Sequence, residues 1–379
     1  MSRITEVYVT SLRIPLKRPH NTALGPTTHQ ENTLVKMITD DGLEGWGEVP
    51  FGKGHNQRGE TSGTARSVLR DRLIPALLGR DPLRIEENQR LLDRVLPGNF
   101  RAKSALNVAS YYLAGRILHT PVYNLVGGLY RESLLLSWSI PFLEEEAAIQ
   151  EVQERIGLGW RLLKVKLGRG NWKEDVRMVA RIRTAAGPHV RLRTDANQAY
   201  DVSTAIRVGH ALAEQDVEYF EQPVARWDLE GMARVRQAIE IPVMADESVK
   251  TAQDLIEMVR LKAADFVAIY MSDGGGITNG KAMAAIAEAA NVRCYIGGAY
   301  ESAVGVAAAL HLGAASPAIN LGCEQFGQFL MERDVSILPF RFAEGALWVP
   351  HGPGLGVEID SEAILRYKWG EDEIFRAGH

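Results

Sequence analysis

Over residues 4–12 and 33–39 apolar and polar side chains alternate, the two-residue period of strands with one covered face. Asp41-Gly42 is a turn signal, and 45–49 reads as a third strand of an antiparallel meander. Between the first two strands, residues 19–32 are polar and contain Gly25-Pro26. They predict a long loop of the kind that serves as a lid. A second Gly-rich loop, 51–63, carries His55 and Arg58. The period then changes. Residues 65–78 and 85–96 place apolar side chains three and four apart, as helices with one buried stripe do, and 102–118 is Ala-rich and mostly apolar, a buried helix. Residues 1–128 therefore read as an α+β domain.

After Gly127-Gly128 short apolar strands recur at near-constant spacing, centred near Trp138, Val165, Leu192, Tyr219, Met244, Val267, Tyr295 and Asn320. Helical patterns at 145–157, 172–186, 202–215, 229–238, 252–261, 279–291 and 302–314 fall between and after them. Regular alternation predicts parallel strands, and eight repeats predict a closed (β/α)8-type barrel over 129–330. Residues 331–379 are irregular, with Pro350, Gly352, Pro353 and Gly354, and are expected to return to the first domain.

Composition narrows the function classes. The chain is 46% hydrophobic and 24% charged, ordinary for a globular enzyme. A formal net charge of -4 offers no basic face for nucleic acid. Cys294 and Cys323 lie in apolar contexts without CxxC spacing, so a disulfide scaffold is not expected and a reducing compartment is. The N-terminus lacks a signal-peptide core, and the apolar run 303–315 is too short for a bilayer. A cytoplasmic enzyme without a membrane partner is expected, and symmetric homo-oligomers are common for such barrels.

Candidate chemistry gathers at the predicted strand ends. In Leu163-Lys164-Val165-Lys166-Leu167 the two lysines share one strand face and the apolar residues the other. Taken alone this is also an edge strand with its lysines in water. Inside a barrel, two like charges need anions or a catalytic task to hold them. The next three strands end in Asp195, Glu221 and Asp246, at one level on neighbours roughly 4.8 Å apart. Three convergent carboxylates repel one another unless a cation sits among them. An all-oxygen set suits Mg2+ first and Mn2+ second. A small carboxylate substrate on that ion would have its α-proton acidified through an enediolate. Lys166 is placed as the base, its pKa expected to be lowered by Lys164 and the cation, and Lys164 would hold the developing charge.

These pieces resemble the enolase superfamily, in its muconate-lactonising, mandelate racemase/muconate cycloisomerase-like subgroup. The resemblance covers the whole chain: Gly45-Trp46-Gly47-Glu48, Lys164-Val165-Lys166, Asp195-Ala196-Asn197, Glu221-Gln222-Pro223 and Asp246-Glu247-Ser248. It implies that the first domain caps the barrel and reads the substrate through loops 19–32 and 51–63. It also implies that Asp195, Glu221 and Asp246 hold Mg2+ and that Lys166 is the acid/base. Asn197, Glu301, Glu324, Phe326, His29 and His55 are the candidate substrate contacts, although a loop histidine is more simply a solvated residue. There is one departure. The family's second lysine, at the end of the sixth strand, corresponds to Tyr270 here, and Lys262 and Lys281 lie on neighbouring helices instead. A phenol with a pKa of about 10 donates better than it accepts. That favours a one-lysine reaction such as lactonisation. β-Elimination, racemisation or epimerisation, and a barrel that binds metal and carboxylate without catalysis, stay open. The Asp-x-Asp of dipeptide epimerases is absent after the eighth strand. Gly274-Gly275-Gly276 reads as a tight turn rather than a phosphate cradle.

Overall fold

The computed structural model describes residues 2–22, 25–51 and 59–378. Its N-terminal part is a four-stranded antiparallel sheet, ordered β15-β1-β2-β3. The strands are β1 (Ile4–Thr22), β2 (Gly25–Thr39) and β3 (Glu44–Phe51), with β15 (Glu373–Arg376) returning from the C-terminus to pair with β1. Within the polar stretch 19–32, residues 19–22 and 25–32 are therefore strand and not loop. They form the far end of a β1–β2 hairpin whose Asn21 and Thr22 pair with Pro26 and Gly25. Backbone ladders need no apolar side chains, so composition misreads this end. The ladder shifts register between Pro15 and His20. Pro15 and Pro19 lack the N–H that a regular ladder would use there.

Five helices follow: α1 (Ser62–Val68), α2 (Ile74–Leu77), α3 (Ile85–Val95), α4 (Phe100–Ile117) and α5 (Val122–Val126), with a π-turn at Leu69–Leu73 between the first two. Helix α4 is buried on nearly every side, as its Ala-rich sequence predicts. Its residues Ala102, Ala105, Leu106 and Ala109 pack with Val7, Val9, Val35 and Val49 of the sheet into one core.

A short strand, β4 (Ser133–Leu135), leads into eight parallel strands: β5 (Ser137–Ile140), β6 (Leu162–Lys166), β7 (Arg191–Asp195), β8 (Val217–Glu221), β9 (Val243–Ala245), β10 (Phe266–Ile269), β11 (Arg293–Ile296) and β12 (Ile319–Cys323). They pair in sequence order, and a parallel bridge from Leu136 to Cys323 brings the two ends together as a nearly closed barrel. The outer helices are α6 (Glu145–Gly157), α7 (Trp172–Ala186), α8 (Val202–Ala213), α9 (Leu229–Ala238), α10 (Ala252–Leu261), the short α11 (Met271–Gly274), α12 (Ile277–Ala289), α13 (Ala303–Ala315) and the short α14 (Gly327–Leu330). Beyond them come β13 (Phe342–Ala343), β14 (Ala346–Trp348), which pairs with β4, and α15 (Ser361–Tyr367). Among the described residues no helix is long and apolar enough to cross a membrane.

The period-two reading of 163–167 is realised in space. Leu163, Val165 and Leu167 are buried in the layer between barrel and helices, while Lys164 points inward at 0% exposure. Strand β6 lies between β5 and β7, which removes the edge-strand alternative. The barrel interior is filled by Tyr219, Met244, Ala268, Tyr295 and Leu321.

Candidate active site

Strand register brings the charged residues to one end of the barrel. Lys166 pairs with Asp195 across β6–β7, and Asp195 with Glu221 across β7–β8. Asp246 follows β9, its backbone N–H donating to Gln222 Oε1 at 3.0 Å. Asp195, Glu221 and Asp246 are all buried. Lys164 Nζ donates to Glu324 at 2.6 Å and to both oxygens of Glu221 at 3.2 and 3.3 Å, and lies 3.6 Å from Asp195. Lys166 Nζ donates to Asp195 at 2.6 Å and to Asn197 Oδ1 at 2.9 Å. Its side chain keeps 27% exposure, so it is the lysine that meets incoming molecules.

The electrostatics follow from this crowding. Burial, then Asp195, Asp246 and Glu324, push the Glu221 carboxyl well above its ordinary range, and Lys164 offsets only part of this. Burial would raise Asp195 too, but Lys166, Lys164 and the Asn197 N–H hold it below the usual carboxylate range. Burial pulls Lys164 down, yet Glu221, Glu324 and Asp195 together carry it well above its ordinary value. Lys166 moves the same way. Burial and Lys164 lower it, but Asp195, Glu324 and Glu221, with no cation among them, outweigh both. The physical reason is proximity: Asp195 is in hydrogen-bond contact, nearer than a through-space like charge can offset.

A divalent cation is implied by the donor chemistry. As arranged, no group of three or more His, Cys, Asp or Glu side chains among the described residues closes on a single point at metal-binding distance. Glu221 nevertheless carries repulsion from Asp195 and Asp246, only partly offset by Lys164, in a buried setting rich in carboxylate oxygens. Repulsion of that kind is what a hard cation relieves, so these residues fit one.

The facing side is built differently. Tyr270 directly follows β10 and precedes α11. Its ring lies so close to the seventh-strand loop that a Cβ at Gly297 would fall 2.1 Å from Tyr270 Cε2. It packs against the barrel-filling cluster and is near enough to Lys164 to help raise that lysine. Glu301 accepts the Ala299 N–H at 2.7 Å within its own loop, and burial pushes it up to about 7. Glu324 binds Lys164, as described above. Phe326 is buried between Trp138 and Tyr300, with ring centroids 5.1 and 5.7 Å away, which makes it a packing residue behind Tyr300. His29 does not join this group. Its Nδ1 meets Thr28 Oγ1 at 2.9 Å, and on a strand it faces opposite to Gln30, which reaches the Ala299 carbonyl at 3.4 Å. His55 lies outside the described residues, as does most of loop 51–63.

Sequence reasoning passed over several residues that hold this site. Gln222 accepts the N–H groups of Asp246 and Ser248 and donates to Ser248 Oγ at 2.7 Å. Glu247 accepts from Asn197 Nδ2 at 3.1 Å and Gln198 Nε2 at 3.2 Å. Both sit directly after predicted metal ligands, and that adjacency was the available signal. Arg101 of α4 donates to Asp273 at 2.6 Å, and nothing in the local pattern of either residue announces it.

Comparison with known proteins gives a consistent result. A family model for the mandelate racemase / muconate lactonizing enzyme N-terminal domain matches residues 4–127. One described as enolase C-terminal domain-like matches 147–363. Muconate cycloisomerase 1 of Rhodococcus opacus is 34% identical over 362 residues, 95% of this chain and 97% of that protein. The crystal structure of 2-chloromuconate cycloisomerase from Rhodococcus opacus superposes with a TM-score of 0.93 at 33% identity, covering 97% of this chain and 100% of that one. That of N-succinyl Arg/Lys racemase from Bacillus cereus gives 0.94 at 28% identity, covering 99% and 100%.

Proposed function

The chain belongs to the mandelate racemase/muconate lactonizing enzyme family of the enolase superfamily, and we propose that this isomerase is of the cycloisomerase type, working with Mg2+ and with Lys166 as its one acid/base. The substrate class is an unsaturated dicarboxylate. One carboxylate adds to a conjugated C=C, forming the ring C–O bond. Lys166 delivers a proton to the carbon α to the other carboxylate, and the reverse reaction returns it.

The asymmetry between the two sides of the site carries this reading. On one side Lys166 donates to Asp195 at 2.6 Å and to Asn197 at 2.9 Å, while the sixth strand leads to a phenol, Tyr270, on the other. A protonated lysine is the form that donates, as ring closure requires. Asp195, Glu221 and Asp246 would hold the cation, which when bound would take up carboxylate charge around Lys166 and draw electrons from the substrate carboxylate. Asn197 steadies the Lys166 ammonium at 2.9 Å. Lys164, kept cationic by its three carboxylate neighbours, offers positive charge to the substrate carboxylate as negative charge builds there.

Turnover of cis,cis-muconate or a chloromuconate in D2O with Mg2+ tests the proposal. One deuterium in a single configuration of the lactone, lost with Lys166→Ala, is expected. The similarity to N-succinyl Arg/Lys racemase favours a second reading, proton exchange on both faces of an N-acylated amino acid. Deuterium entering both configurations of such an amino acid would replace the first reading with that one.

A further inference from the structure

The loops after β10 and β11 form the side of the site opposite Lys166, and the groups that fix them belong to the cap. Glu48 of β3 is only 3% exposed. Its Oε1 accepts from Asn32 Nδ2 at 2.5 Å and from the Ser302 N–H at 2.8 Å. Its Oε2 accepts from Ser302 Oγ and from the Gly305 N–H, each at 2.8 Å. Ser302 precedes α13 but does not cap it with its own side chain. The open N–H groups of that helix are met by Glu48 and, at Ala303, by Asp334 at 2.8 Å. A Cβ at Gly305 would lie 2.9 Å from Glu48 Oε2, so the helix's first turn leaves room for this carboxylate. From Asn32 the bonding continues through Gln30 to the Ala299 carbonyl.

The neighbouring loop is held in the same manner. Arg101 of α4, 1% exposed, donates to Asp273 at 2.6 Å and to the Pro50 carbonyl at 2.9 Å. Asn107 of the same helix exchanges two hydrogen bonds with Thr278. Residues 270–278 and 297–305 thus take anchors from the cap, with Asp334 adding one at Ala303.

We propose that Glu48 and Arg101 are positioning residues: cap-borne side chains that stay away from substrate yet fix these two loops, and with them the stance of Tyr270 and Tyr300 opposite Lys166. The geometry stands by itself, and its effect on turnover rests on the isomerase reading above. Removing Glu48 leaves the buried Ser302 and Gly305 donors without their acceptor, and removing Arg101 takes one hydrogen-bonded partner from the buried Asp273. The loop then moves while the β6–β9 strand ends stay in place, so substrate is held less well by an intact acid/base.

Amide hydrogen exchange on the full chain tests this. In Glu48→Ala exchange at 297–305 is expected to quicken about tenfold or more, and in Arg101→Ala the same is expected at 270–278. Residues 162–166, 191–197 and 217–222 should keep wild-type rates. Glu48→Gln and Arg101→Lys, which retain part of the bonding, should recover part of the protection and serve if the alanine variants do not fold. On a substrate the wild type turns over, KM should rise about tenfold with kcat changed much less. Exchange that quickens uniformly over the chain, exchange that does not quicken, or a kcat loss with KM unchanged would overturn the proposal. If the wild type turns over none of the dicarboxylates, the isomerase reading falls and the exchange pattern alone decides the positioning role.

Discussion

The two sides of the barrel mouth are held by different means. The side formed by β6 to β9 is knitted by the barrel itself. Adjacent strands set Lys166, Asp195 and Glu221 in register, Gln222 ties the Asp246 loop down, and Asn197 and Gln198 meet Glu247. The side formed by the loops after β10 and β11 is bolted from outside, through Arg101 to Asp273 and Glu48 to Ser302 and Gly305. Groups that must carry and balance charge sit on rigid strand ends, where position is fixed to the accuracy of a hydrogen-bond ladder. The loops after β10 and β11 depend in addition on side chains from outside the barrel. Tyr270, where the resemblance leads one to expect a second lysine, falls on the bolted side.

The comparison can be broken most severely at Lys166. Lys166→Ala should lower the rate of lactone formation by about a thousandfold, within the range of a lost general acid. Steady-state kinetics check this, and thermal unfolding should show little change because the side chain is partly exposed. Removing charge from the carboxylate set comes next. Glu221→Gln should weaken Mg2+ or Mn2+ binding by about a hundredfold, read by titration calorimetry, and a chelator should silence the wild type reversibly. A smaller effect is expected on the bolted side. Tyr270→Phe should cost no more than about tenfold in kcat/KM, as a lost hydrogen bond does. Tyr270→Lys should let solvent deuterium enter from the second face. If Tyr270→Phe is as damaging as Lys166→Ala, the phenol is itself an acid/base and the one-lysine reading fails.

The last expectation concerns stability and not turnover: a pH slope. Burial pushes the Glu48 carboxyl from its ordinary 4.5 up to about 8, against the hydrogen bonds it accepts. Between these values the folded chain keeps a proton that the unfolded chain has released. The stability contributed is therefore full below pH 4.5 and is lost as pH rises through 8. Glu301, pushed up to about 7 by burial, acts in the same sense. Melting temperature should fall from pH 5 to pH 9, and Glu48→Gln should flatten that fall. An unchanged slope in Glu48→Gln would assign it to other groups.

Much of the charged half was legible because it depends on local periods. Eight strand centres and most helix bounds follow from apolar spacing, and α6, α7, α9 and α10 begin and end at the expected residues. The bolted half was not legible. Arg101 and Asp273 lie 172 positions apart, and Glu48 and Ser302 lie 254 apart. Each looks like an ordinary charged or polar residue in its own segment. Residues 19–32 misled for a related reason, since a polar hairpin is held by backbone bonds that leave no apolar period.

The sequence by itself determined that Lys164 and Lys166 share a face and that Asp195, Glu221 and Asp246 end three consecutive strands. A two-residue period and a regular βα repeat fix both without reference to anything distant. Only the tertiary structure decided the state of those groups. Lys166 donates to Asp195 at 2.6 Å as well as sharing a face with Lys164, and the fixing of the opposite side passed to Arg101 and Glu48. Charge states and interdomain bonds depend on separations of a few ångströms between segments far apart in the chain, and no local pattern encodes those separations.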